Sequence, residues 1–182
     1  MKVNSPRLGV VAVALAMLAG CGKNPMEAAI EKNDRQAVSE AIKEGADVNR
    51  KITGGDTPLL MATKKVQSSS AQALIESGAD IRVRDDAGNG VLHYAAQNGM
   101  TGICGLLVDR GIAIDDPGAG GATALQFAVK GGQMETAKYL VRRGANLDRK
   151  NDAGLSPIEL VERNGDLRFK NDLLAAAKLR TN

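Results

Sequence analysis

The chain has no tryptophan, and only two tyrosines, two phenylalanines, one histidine and two cysteines in 182 residues. Each scarcity removes a class of chemistry. With His93 as the only histidine, neither an HExxH helix nor a multi-histidine metal set can be built. Cys21 and Cys104 are too far apart for a CxxC pair. No GxxxxGK[ST] loop is present to cradle phosphates. Aromatics at 2% leave little for the base-stacking platforms that bind single-stranded nucleic acid. The reading is therefore of a non-enzyme with no catalytic residues, no metal, no cofactor and no nucleic-acid partner.

Glycine, by contrast, is abundant and periodic. Gly45, Gly78, Gly111 and Gly144 stand 33 residues apart, each closing an apolar run. Gly55, Gly88, Gly121 and Gly154 form a second series with the same period. A fixed period of this length is the mark of a stacked repeat array, in which neighbours bury faces that no unit buries alone. The aligned pairs Ala41/Ile42, Leu74/Ile75, Leu107/Val108, Leu140/Val141 and Leu173/Leu174 supply an apolar stripe in the same frame. Thr57, Thr123 and Ser156 are placed to cap helices that follow them, and Pro58 and Pro157 suit the first helical position. Thr123 with Gln126, and Ser156 with Glu159, have capping-box spacing.

The third unit is the most complete: Gly88, Leu92, His93, Ala95, Ala96, Gly99, Leu106, Leu107 and Gly111, preceded by Gly78-Ala79-Asp80. It resembles the ankyrin repeat, whose pattern is a finger loop, T-P-L-H-x-A-A on a first helix, Gly, an apolar second helix and Gly-Ala-Asp. The resemblance covers roughly residues 25–179. It implies an all-α solenoid of helix-turn-helix units with β-turn fingers. The expected division is an N-terminal cap at 25–49, repeats at 50–82, 83–115 and 116–148, and a C-terminal cap at 149–180. It also implies that His93 bonds backbone near the turns. Four local departures are expected. Val66 replaces the glycine of Gly99 and Gly132, and Ser68–Ser70 follow, so the turn there should be altered and its second helix should start late. Gly90 and Val91 stand in place of the pattern's Thr-Pro, where the other units have Thr57, Thr123 or Ser156, removing a side-chain cap. The finger at 115–121, with Pro117 and three glycines, should be more mobile or differently shaped. Ala177 replaces the closing glycine in the last unit, so that helix should run on.

The N-terminus reads as an address. Lys2 and Arg7 precede the apolar stretch Leu8–Ala19, too short for a membrane span of ~20 residues and suited to a signal peptide over residues 1–20. It ends Leu18-Ala19-Gly20-Cys21, which resembles a bacterial lipobox. That resemblance implies acylation of Cys21 and a lipid anchor in the cell envelope. An ordinary secretory signal with a nearby cysteine is the alternative. Gly22 after Cys21 favours the outer membrane, facing the periplasm. Residues 21–24 then form a short tether that keeps the first unit near the membrane, because a few residues span at most ~14 Å. Without residues 1–20 the chain has 22 basic and 21 acidic side chains, so its pI argues for no particular partner. Cys104 aligns with Val38, Ala71 and Ala137 and reads as a small buried residue. Asp85/Asp86 and Asp115/Asp116 read as solvated loop charges, with a divalent ion as the alternative.

Ankyrin arrays usually bind proteins with finger tips and the exposed face of the first helices. Carried over by position, the contact residues are Lys51, Thr53, Asp56 and Lys64; Arg84, Asp86, Asn89 and Gln97; Lys130; and Lys150, Asp152 and Arg163. The set is moderately basic and suits a partner protein with an acidic surface. The resulting reading is a membrane-anchored, monomeric periplasmic adaptor. The alternative is an immunity protein that neutralises a periplasm-acting toxin, such as a secreted lipase or peptidoglycan hydrolase.

Overall fold

The computed structural model describes residues 24–179. Residues 1–20, read above as a signal peptide, and Cys21 lie outside the described residues. Ten α-helices lie among those described, in five antiparallel pairs: α1 (Pro25–Glu31) and α2 (Arg35–Lys43), α3 (Pro58–Lys64) and α4 (Ser68–Glu76), α5 (Val91–Gln97) and α6 (Thr101–Asp109), α7 (Ala124–Lys130) and α8 (Met134–Arg142), α9 (Pro157–Arg163) and α10 (Leu167–Lys178). First helices pack on first helices and second helices on second helices, giving a two-layer solenoid. Most of these helices have seven or nine residues. Helices that short are marginal alone in water, so stacking holds them.

The ends are built as the side chains dictate. Asn24 Oδ1 accepts from the Met26 N–H at 3.0 Å, with Pro25 at the first helical position. Thr57 Oγ1 accepts from Leu60 N at 3.4 Å. The capping boxes of α7 and α9 both form. Thr123 N donates to Gln126 Oε1 at 3.0 Å and Ser156 N to Glu159 Oε2 at 2.7 Å. Gly90 supplies no side-chain cap to α5, but His93 Nδ1 accepts the Gly90 N–H at 3.1 Å and completes half of the same reciprocal motif. Each of α2, α4, α6 and α8 ends in a left-handed glycine, Gly45, Gly78, Gly111 or Gly144, with φ between +84° and +101°. α10, which has Ala177 at that position, runs on to Lys178 and reaches 12 residues.

Leu74, Leu107, Leu140 and Leu173 are fully buried between the layers, as are Ala62, Ala95 and Ala128 where helices approach closely. Burying a leucine contributes about 2 kcal/mol. Cys104 belongs to this core, and burial pushes its thiol up to about 12.

The Val66 turn corrects the expectation drawn from its sequence. α4 begins at Ser68, in the same frame as Thr101 and Met134, and the turn keeps its shape. Val66 adopts φ +61°, beside +71° at Gly99 and +67° at Gly132, and the Gln67 N–H still reaches Ala62 O at 2.8 Å. Neighbours impose this. Ser70 N–H donates to Asn33 Oδ1 of the preceding unit at 3.1 Å, and Asn98 Nδ2 of the following unit donates to Thr63 O at 2.8 Å. A β-branched residue is thereby held in a conformation that disfavours it.

The four fingers share one hairpin scheme. Ile52, Asp85, Gly118 and Asn151 donate their N–H to Asp56, Asn89, Ala122 and Leu155 carbonyls at 2.8–3.0 Å. The finger at 115–121 keeps this bond but contains a 3-10 turn at Ala119–Gly121, with Gly120 at φ +63°. Its shape therefore differs, as its glycines imply. Gly118 is needed for close approach, because a Cβ there would fall 2.8–2.9 Å from Asn89 Oδ1 and the His93 ring.

Candidate protein-binding surface

The fingers and the first-helix layer form one face. Along it, at the same position of successive units, stand Met61, Tyr94, Phe127 and Leu160, all half-buried. Three residues further on, one turn away on the same side of each helix, come Lys64, Gln97, Lys130 and Arg163. The apolar row was absent from the contact residues inferred above. Its signal was present: the four are 33 apart, and Tyr94 and Phe127 are two of only four aromatics in the chain.

The two ends of this face are wired differently. Lys64 Nζ lies 2.9 Å from Asp56 and 3.3 Å from Asp85, and 5.1 Å from the centre of the Tyr94 ring. The Tyr94 hydroxyl donates to Asp85 Oδ2, and Asn89 Nδ2 approaches that hydroxyl at 3.5 Å. Asp85 Oδ1 accepts from the N–H groups of Ala87 and Asn89 at 3.1 and 2.9 Å. Burial works against the ionised forms of Lys64 and Asp85. Their hydrogen bonds and mutual attraction outweigh it, raising the lysine and lowering the carboxyl. Burial and the bond to Asp85 both push the Tyr94 phenol up.

Further along, Arg84 pairs with Asp116 and donates to the carbonyls of Gly88 and Pro117, the latter at 2.8 Å. Lys150 pairs with Glu159 at 3.3 Å. The Ser156 backbone and hydroxyl, with Lys150, lower the Glu159 carboxyl.

These contacts sort the inferred contact residues. Lys51, Thr53, Asp86, Gln97, Lys130, Asp152 and Arg163 are exposed. Asp56 and Lys64 are half-buried and joined to each other. Arg84 and Lys150 are exposed but ion-paired. Asn89 is a correction: it is buried, 7% exposed, and its Oδ1 accepts the Ala119 N–H at 2.8 Å. It ties one finger to the next and presents no surface to a partner. Lys51, Lys130 and Arg163 form no ion pair among the described residues.

His93 is buried, with Nδ1 accepting from Gly90 and Nε2–H donating to the Asp116 carbonyl at 3.0 Å. The backbone donor at Nδ1 sets this tautomer. Burial lowers its basicity. Its ring meets Phe127 edge-on at 5.1 Å. Both nitrogens are occupied by backbone, so the imidazole has no free nitrogen for proton transfer. It borders a polar cleft of about 260 Å³ lined also by Arg82, Arg84 and Ile112. Among the described residues, no three His, Cys, Asp or Glu side chains converge to hold a metal, and no helix is long and apolar enough to cross a membrane.

Residues 66–151 match the family model for ankyrin repeats (3 copies). A search of curated proteins returns no match. The match begins at Val66, inside the second pair, and ends at Asn151 in the last finger. The chain thus carries ankyrin repeats, stacked as an all-α solenoid whose repeats indicate a protein–protein interaction module.

Proposed function

We propose that this protein is a non-catalytic, monomeric adaptor that grips a partner protein with its fingers and first-helix face, held in the bacterial envelope by lipid on Cys21. The observation carrying the binding role is the row Met61, Tyr94, Phe127 and Leu160, half-exposed and repeated once per unit along a pre-formed surface. Half-exposed apolar and aromatic side chains beside cations are the composition of interface centres. The fingers are already bonded to one another through Asn89 to Ala119 and through the Asp152 N–H to Gly120 O at 2.9 Å. Little ordering cost remains to be met on binding. The anchor rests on Lys2, Arg7, the stretch Leu8–Ala19 and Leu18-Ala19-Gly20-Cys21, and the outer-membrane placement rests on Gly22. α1 starts at Pro25, so only residues 22–24 separate Cys21 from the solenoid.

The test places a photo-crosslinking residue at Lys130 or Arg163 of the native lipoprotein in intact envelopes and identifies what is captured. One protein captured from these positions, and not from Glu40 or Lys43 on the second-helix layer, supports the reading. A lipase or peptidoglycan hydrolase as the captured protein makes the adaptor an immunity protein. Equal capture from both layers would overturn the choice of face. Cysteine 21 replaced by serine should release the protein from membranes; unchanged membrane association would remove the anchor.

A further inference from the structure

The charges on the first-helix face are not distributed evenly, and the reason is visible in the repeat frame. Lys64 and Lys130 occupy the same position two units apart. Lys64 meets Asp56 from its own finger and Asp85 from the next. The residues at the corresponding positions around Lys130 are Ala122 and Asn151, both neutral. Lys130 therefore has the setting of Lys64 without its acids. Its Nζ lies 5.9 Å from the centre of the Phe127 ring. One unit on, Leu160 and Arg163 repeat the arrangement: a half-buried apolar side chain, and an exposed cation three residues later that forms no ion pair among the described residues. The acids nearby are engaged, Glu159 with Lys150 and Glu162 with Lys170. Exposed Asp152 is the exception.

Resting on the binding role proposed above, we infer that the partner docks on α7 and α9 rather than on α3 and α5, and presents an extended acidic segment with an apolar residue between its carboxylates. Packed helices lie about 8–10 Å apart, and an extended segment of polyproline-II form has about three residues per turn and advances about 3.1 Å per residue. Carboxylates three residues apart then share one side about 9 Å apart and reach Lys130 and Arg163 together, and an apolar side chain between them turns toward Phe127 and Leu160. Around Tyr94 the same acidic segment would meet Asp56 and Asp85, which already neutralise Lys64 and would repel it.

The probe is a fluorescent random copolymer of glutamate and tyrosine, titrated with the full chain in detergent at low salt and followed by anisotropy. Binding is expected, with none for polylysine. Lys130→Glu/Arg163→Glu should weaken it about tenfold or more, whereas Lys43→Glu, equally exposed but on the second-helix layer, should change it less than about twofold. Asn151→Asp is the sharper variant. Like Asp85, aspartate at 151 can keep the turn's bonds to Ala153 and Leu155, while supplying the acid that Lys130 lacks. It should weaken the copolymer several-fold with an unchanged circular dichroism spectrum and melting temperature. Affinity unchanged in both variants, or lowered equally by Lys43→Glu, would overturn the inference. If envelope crosslinking captures one protein from this face but the copolymer does not bind, the binding role stands and this inference falls. If neither occurs, both fall.

Discussion

Lys64 and Lys130 are one residue type at one position of the repeat, and they do different things. The first is clamped by Asp56, Asp85 and the Tyr94 ring, and with them joins two fingers to two helices. The second lies over Phe127 with no acid beside it. A repeat frame fixes where a side chain emerges. Whether that side chain is a fastening or a surface depends on residues one unit away, which the frame leaves free to vary. Half of the first-helix face is thereby closed by its own charges and half is open.

The comparison is broken most strongly at Asp85. Its side chain keeps 12% of its exposure and holds Lys64, Tyr94 and two backbone N–H groups. Asp85→Ala should cost about 2–3 kcal/mol, because it removes charged hydrogen bonds and leaves their partners poorly solvated. Asn151→Ala, at the same position but holding only the turn, should cost about 1 kcal/mol. Urea denaturation of the two variants measures the difference, and equal losses would dissolve the distinction between the halves.

Acid should act at the joint between the halves. His93, on α5, bonds the carbonyl of Asp116 in the following finger, and its ring touches Phe127. Its basicity is lowered in the fold because the ring is buried, and a second N–H on Nδ1 would face the Gly90 N–H. The unfolded chain therefore takes up this proton first. The contribution of His93 is complete above about pH 6.5 and is lost as pH falls through that value toward the lower folded one, with a slope of up to about 1.4 kcal/mol per pH unit. Thermal melts between pH 7.5 and 5 should show the fall. His93→Gln should flatten it over this window, where the carboxylates of Asp85 and Glu159, both lowered, stay ionised.

A smaller effect is expected at Val66. Val66→Gly relieves a left-handed β-branched residue, worth about 1–2 kcal/mol, against the greater freedom glycine gives the unfolded chain. The net gain should be about 0.5–1 kcal/mol, read as a raised urea midpoint. Smallest of all, Lys130→Ala and Arg163→Ala should each shift stability by less than about 0.5 kcal/mol, since neither holds an ion pair among the described residues. A larger loss from either would mean that the open half is also a fastening.

Much of the fold was legible because its causes are local. Thr57, Thr123 and Ser156 cap the helices that follow them, and the closing glycines adopt the left-handed turn that ends a second helix. Val66 misled for the same reason. Judged by its own preference it should disrupt the turn, yet Asn33 and Asn98 from the units on either side hold the frame. Asn89 misled in the opposite sense. A polar residue on a finger reads as exposed until the next finger folds over it.

Order, period and helix pairing therefore follow from the sequence alone, since capping, left-handed glycines and apolar spacing act over a few residues and repeat. Which charges neutralise each other, which polar side chains are buried, and which part of the face stays open were decided only by stacking. Those outcomes depend on side chains of neighbouring units, brought into contact by the solenoid: Lys64 beside Asp85 and Arg84 beside Asp116, with no acid at the corresponding places around Lys130.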